Sequence, residues 1–144
     1  MRAVTGQVRN IVVVGAALLD GAGRVLVAQR SEPPHLAGYW ELPGGKVEPD
    51  EDEIDALVRE CEEELGVVIS VGDRIGPDLP VRNTGTLRVW AARIVEGELT
   101  ATEHHELRWL RADELETVTW LPADIPLLPL LRDLLDGEGA PAGP

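Results

Sequence analysis

The segment GGKVEPDEDEIDALVRECEEELG, residues 44–66, constrains this chain more than any other stretch. It carries ten carboxylates against two cations, Lys46 and Arg59, so most of its charge has no local partner. Its periodicity is helical. At about 100° per residue, Ile54, Leu57, Val58, Cys61 and Leu65 fall on one apolar stripe, with Cys61 near the middle. Pro49-Asp50 and Glu53 offer an N-cap carboxylate and a third-position glutamate like those of a capping box, and Gly66 ends the run. The expectation is an amphipathic helix that packs on a core through its stripe.

Glu60, Glu63 and Glu64 stand at i, i+3 and i+4, beside the stripe rather than opposite it. Like charges at that spacing cost a few tenths of a kcal/mol per pair on an exposed helix, and more where the effective dielectric falls to roughly 20. A hard divalent cation would relieve the repulsion, because Mg²⁺ takes carboxylate, water and phosphate oxygens. The bland alternative is a solvated acidic face.

The remainder of the chain alternates strand and helix signals without internal repeats. IVVVGAALL (11–19), the turn DGAG and RVLVAQR (24–30) read as a β-hairpin. GYWELPGG is a short strand breaking into a Pro-Gly-Gly loop ahead of the acidic helix. VVISVG (67–72) and TLRVWAARIV (86–95) suit strands, with the turn signal RNTG between them. LRWLRADEL reads as a strand entering a short helix. In DIPLLPLLRDLL, Pro126 and Pro129 predict an irregular start and then regular helix towards Leu135. Residues 1–9 and the tail GEGAPAGP (137–144) have no means of burying apolar surface and are expected to be flexible, which leaves one domain over residues 10–136.

At 144 residues the chain is long enough for a single domain with a real core, and 44% hydrophobic with 27% charged residues is an ordinary globular balance. A net charge of −13 argues against a nucleic-acid polymer or an anionic membrane as partner, and an anionic substrate would need a bridging cation. One cysteine excludes an intrachain disulfide. The apolar run 11–19 is too short to span a bilayer, and a reducing cytoplasm is the default location.

The acidic segment resembles the signature of the Nudix hydrolase family: a glycine, five residues, Glu, seven residues, then Arg-Glu-apolar-any-Glu-Glu-any-Gly-apolar. Here the fixed positions are Gly45, Glu51, Arg59, Glu60, Cys61, Glu63, Glu64, Gly66 and Val67, with cysteine in an apolar slot as the one mild departure. The WELPG loop precedes it, and the strand order extends the likeness over roughly residues 10–135. The resemblance implies an α/β fold, an α/β/α sandwich with a mixed sheet. It also implies cleavage of a nucleoside diphosphate linked to another moiety, by water attacking phosphorus with Mg²⁺ or Mn²⁺ at the box. By resemblance Glu63, Glu64 and the Gly45 carbonyl ligate metal. Glu60 ligates metal or takes a proton from the water, Arg59 orients the glutamates, and Glu51 closes an ion pair with Arg59. No serine or cysteine nucleophile is needed, and the stripe position of Cys61 predicts an inert, buried thiol.

VLVAQR…LAGYWELPGGKVEP and WLPADIPLL resemble the MutT-type branch, and within it bacterial CTP pyrophosphohydrolases. That likeness implies a nucleoside triphosphate cleaved to monophosphate and pyrophosphate by attack at the β-phosphorus. By position Glu103 matches a loop glutamate that assists metal or catalysis, with a solvated residue as the alternative. Arg30 and Lys46 match positions facing phosphates or nucleotide. Asp124 matches the base-reading position, and an ionised Asp suits the exocyclic amine of cytosine or the N1–H and amine of guanine equally; its other reading is an N-cap for the last helix. His35 is a candidate substrate contact or a surface residue. Trp40, Trp90, Trp109 and Trp120 lie in or beside apolar segments and are expected in the core.

Other branches fit less well. Tyr39 is the only tyrosine and precedes the box, whereas dinucleoside polyphosphate hydrolases have one downstream. Within the MutT type the alternative is an enzyme directed at 8-oxo-dGTP; ADP-ribose and sugar-nucleotide enzymes, which usually carry an additional N-terminal sheet region, remain a runner-up. A nucleotide-binding regulatory domain is the non-enzymatic alternative, set against the complete carboxylate set. Oligomeric state is open between monomer and homodimer.

Overall fold

The computed structural model describes residues 11–81, 85–102 and 104–139. Its elements, in chain order, are β1 (Ile11–Leu18), β2 (Arg24–Arg30), β3 (Trp40–Glu41), β4 (Gly44–Lys46), α1 (Glu53–Leu65), β5 (Val67–Val81), β6 (Gly85–Gly97), β7 (His104–Arg111) and α2 (Leu128–Gly139), with 3₁₀ turns at Ala112–Thr117 and Pro122–Leu127.

The strands divide between a mixed four-stranded sheet, β4-β1-β6-β5, and a three-stranded antiparallel sheet, β3-β2-β7. β1 runs parallel to β6 from Ile11↔Gly85 to Leu18↔Ala92 and antiparallel to β4. The two-residue period of a strand gives β1 two apolar faces. Val14, Ala16 and Leu18 enter the core shared with Leu57, Cys61 and Leu65 of α1, while Ala17 enters the core shared with Leu131 and Leu135 of α2. β2 divides likewise, Leu26 towards α1 and Val25 and Val27 towards α2. Helix, sheets and helix therefore stack as the α/β/α sandwich expected from the sequence.

Three expectations need correction. β1 and β2 do not form a hairpin: they belong to different sheets, and their backbones are bridged only at the base of the turn, at Leu19↔Val25. Both strands are buried on two faces, and each satisfies its backbone with partners distant in sequence. The N-cap of α1 is Asp52, whose carboxylate accepts from the Ile54 amide at 3.1 Å; Asp50 instead takes a positive φ of 66° in the turn before it. Finally, the buried stripe of α1 is Ala56, Leu57, Cys61, Glu64 and Leu65, with Ile54 exposed and Val58 half-buried. The helix is thus rolled so that Glu64 takes a place in the apolar stripe.

Elsewhere the reading holds. β5 and β6 pair antiparallel on either side of the RNTG turn, whose residues 82–84 lie outside the described set. Pro126 sits in a 3₁₀ turn, and regular helix begins at Leu128. That helix runs to Gly139, past the expected boundary at 136. Residues 1–9 and 140–144 fall outside the described residues. Among the described residues no helix is long and apolar enough to cross a membrane.

Candidate active site

The site begins with a local crowding problem. β4 crosses β1 in the register Val14↔Gly45, and α1 lies directly over it. A Cβ on Gly45 would collide with the Glu60 carboxyl group, and one on Gly44 would strike the Val14 carbonyl. Glycine at 45 lets the Glu60 carboxylate rest against the backbone of β4, and glycine at 44 lets β4 lie close against β1. One turn later Glu64 is 7% exposed. Both carboxylates line a cavity of about 1170 Å³, together with Gly45 and Lys46.

Arg59 organises the glutamates from behind. Its Nε and Nη2 donate to the two Glu51 oxygens at 2.7 and 3.0 Å, and Nη1 donates to Glu60 and Glu63, each at 3.2 Å. Nη2 also reaches the Lys46 carbonyl at 3.1 Å, tying α1 to β4. The bidentate contact with Arg59 holds the Glu51 carboxyl below its ordinary pKa. Glu63 is the outlier of the trio: its side chain is 54% exposed, on Arg59, and does not line the cavity.

The far end of α1 is tied to the segment that follows β6. The Thr100 amide donates to the Leu65 carbonyl at 2.9 Å, and Thr102 Oγ1 donates to the Glu63 and Glu64 carbonyls at 3.0 and 2.8 Å. These bonds satisfy carbonyls that a helix C-terminus leaves open. They also bring the start of β7 alongside the box glutamates, so that Thr102 and His104 line the same cavity. Glu103, between them, lies outside the described residues.

Asp124 lines the same cavity. Residues 119–121 run beside β3, with Trp40 donating to the Thr119 carbonyl and Leu121 to the Trp40 carbonyl, each at 2.8 Å. The 3₁₀ turn that follows drives Asp124 inward until it is 6% exposed and accepts from the Leu42 amide at 2.9 Å. It caps no helix, since the N-cap of this turn is Leu121. Burial pushes its carboxyl up to about 7; the Leu42 bond opposes that rise, Glu41 adds to it and Arg30 opposes it.

Arg30 lines the cavity but is already paired, Nη1 donating to both Glu41 oxygens at 3.0 and 3.2 Å. His35 is exposed and does not line the cavity, so it is not brought to the other site residues. Of the tryptophans, Trp40 and Trp120 are buried in the core, and Trp90 and Trp109 pack against it half-buried. Cys61 is fully buried, and burial, then the charges of Glu64 and Glu60, push its thiol up to about 12.

The donor set is oxygen only: Glu60 and Glu64 in the wall, with Glu63 on the same helix, paired with Arg59. Among the described residues no three His, Cys, Asp or Glu side chains stand together as a closed metal cage. Two carboxylates opening on a large cavity suit a cation that completes its shell with waters and phosphate oxygens.

This geometry agrees with what comparison with other proteins finds. The NUDIX domain family matches residues 9–131. The chain belongs to the Nudix hydrolase family. A Mycobacterium tuberculosis relative of this Nudix hydrolase, named as a candidate 8-oxo-dGTP diphosphatase, is 46% identical over 134 residues, 91% of this chain and 94% of its own. A CTP pyrophosphohydrolase of Escherichia coli is 40% identical over 121 residues, 83% of this chain and 90% of its own. The solution structure of the E. coli ORF135 protein superposes with a TM-score of 0.74 at 37% identity, over 98% of this chain and 100% of that one. The Nudix hydrolase described here is accordingly a pyrophosphohydrolase acting on nucleotides, of the MutT type.

Glu41 and His104 line its cavity, although neither is among the candidate site residues of the sequence, where His104 reads as a surface histidine. Glu41 stood inside a motif read only as a strand and turn, and His104 had no partner nearby in sequence. Their contact spans 63 positions, which local patterning does not reveal.

Proposed function

We propose that the chain hydrolyses nucleoside triphosphates of the cytidine type, or with modified or oxidised bases, to monophosphate and pyrophosphate. Its cation is Mg²⁺, with Mn²⁺ as a substitute, and its role is sanitation of the cytoplasmic pool of free nucleotides. The observation that carries this reading is that Glu60, Glu64 and buried Asp124 all line a single cavity. The first pair suits the phosphates with their cation, and Asp124 suits the base.

In this reading Glu60, Glu63, Glu64 and the Gly45 carbonyl hold the cation, with Glu103 assisting. When bound, the cation neutralises phosphate charge and acidifies the attacking water. Glu60 or Glu103 accepts the proton as the water oxygen bonds to phosphorus and the bridging P–O bond breaks. Arg59 fixes the glutamates, and Lys46 meets the phosphates from β4. Arg30 reaches phosphate or nucleotide only by loosening its contact with Glu41.

Asp124 carries the choice of base. Near neutrality a carboxyl with a pKa of about 7 is present in both forms, so it can accept from an exocyclic amine or donate to a ring nitrogen or carbonyl. That versatility suits both substrate classes named for the relatives. A comparison of kcat/KM over dCTP, CTP, 5-methyl-dCTP, dGTP, 8-oxo-dGTP and ADP-ribose tests the reading. A preference for a cytidine or modified nucleotide supports it, and turnover of ADP-ribose in preference to every triphosphate overturns it.

A further inference from the structure

Arg30, Glu41 and His104 form a run of polar contacts in the cavity wall. β2 and β7 pair at Arg30↔His104, and β3 sets Glu41 beside both. Arg30 Nη1 donates to the Glu41 oxygens, and His104 Nε2 stands 3.0 Å from Glu41 Oε2. A carboxylate paired with a guanidinium can only accept, so the proton of a neutral imidazole sits on Nε2, and Nδ1 is left as a lone-pair acceptor. The His104 side chain is 5% exposed and lines the cavity, yet its Nδ1 has no hydrogen-bond partner among the described residues. Buried polar atoms in native proteins are nearly always satisfied, and the space this ring borders is the cavity in which the proposed function seats the nucleotide.

We propose that His104 is a specificity-determining residue whose Nδ1 accepts a hydrogen bond from the bound nucleotide, with Glu41 and Arg30 fixing the tautomer that makes it an acceptor. The triphosphate oxygens are themselves acceptors, so the donor is a sugar hydroxyl or a base amine. The inference rests on the nucleoside triphosphate reading above.

Two variants separate the nitrogens. In His104→Gln the amide nitrogen keeps the contact with Glu41 and leaves nothing at Nδ1; in His104→Asn the amide reaches the Nδ1 position and loses Glu41. Calorimetry with Mg²⁺ and the α,β-methylene analogues of CTP, 2′-deoxy-CTP and 3′-deoxy-CTP measures binding without turnover. For CTP, His104→Gln is expected to weaken affinity by about fivefold to tenfold, the scale of one hydrogen bond, and His104→Asn by no more than about twofold. If the Gln penalty vanishes with one deoxy analogue, that hydroxyl is the donor; if it persists in all three, the base amine is.

A Gln variant with unchanged melting temperature that binds every analogue like the wild type overturns the proposal and reduces His104 to a brace for Glu41. An Asn variant as weak as the Gln variant overturns it too. Wild-type protein that binds none of the analogues sinks both this inference and the triphosphate reading. Binding without hydrolysis of the natural triphosphates sinks only the latter, and the affinity ratios still decide the role of His104.

Discussion

Asp124 accepts a hydrogen bond from the amide of Leu42, 82 positions earlier in the chain, at 2.9 Å. That contact joins the last 3₁₀ turn to the loop leading into the box, and it fixes a buried carboxyl in the cavity wall.

Its ionisation has a consequence for stability. The folded pKa of about 7 lies above the ordinary value of 3.8, so between those values the folded state binds more protons than the unfolded state. Stability from this group is therefore fully present below 3.8 and is lost as pH rises from there to about 7. The difference in melting temperature between the wild type and Asp124→Asn should shift against the wild type across that window, because Asn keeps an acceptor for Leu42 and does not titrate. A pH-independent difference would show that Asp124 ionises as it does in water.

Asp124→Asn should also redistribute kcat/KM between cytidine and guanosine triphosphates, since the amide always offers a donor as well as an acceptor. Steady-state kinetics on both bases measures this, and an unaltered ratio would confine Asp124 to its bond with Leu42.

Glu64→Gln removes a charge from the cavity wall while preserving side-chain volume. We expect kcat to fall by about two orders of magnitude or more, the scale of losing one electrostatic contact at a developing charge, with the fold retained by circular dichroism. Turnover within a few-fold of the wild type would refute the role assigned to Glu64.

Thr102→Val deletes the hydroxyl that bonds the Glu63 and Glu64 carbonyls and keeps the shape of the side chain. Urea unfolding should show a loss of about 1 kcal/mol, and kcat should drop, because the same bonds seat the start of β7 against the box. A loss of stability with kcat intact would mean that this tie supports the helix alone.

Cys61 should resist iodoacetamide in the native state at pH 8 and react fully in denaturant, since its thiol is buried with a pKa near 12. Mass spectrometry counts the adduct, and native modification within minutes would contradict the packing of α1.

How much of this was legible in the sequence follows from the range of each interaction. The helical stripe, the box spacing, the stop at Gly66 and the proline-broken start of α2 are local, and their residues announce them. The roll of α1 was misjudged by part of a turn. Periodicity finds an apolar face, but only contact with β1 and β5 decides that Glu64 is buried and Ile54 exposed. The cap moved from Asp50 to Asp52 because both residues can cap and the turn geometry chooses between them. The hairpin was misread because adjacent apolar strands look alike whether they pair with each other or with separate sheets. Arg30 with Glu41, Glu41 with His104 and Leu42 with Asp124 are tertiary contacts, so no spacing rule reaches them.

The most direct test of the account is product analysis by phosphorus NMR after incubation of the full chain with CTP and Mg²⁺. The account predicts monophosphate and pyrophosphate in equal amounts, no orthophosphate, and loss of both products in Glu64→Gln. Orthophosphate with a nucleoside diphosphate, or CTP that is bound and left intact, would contradict it.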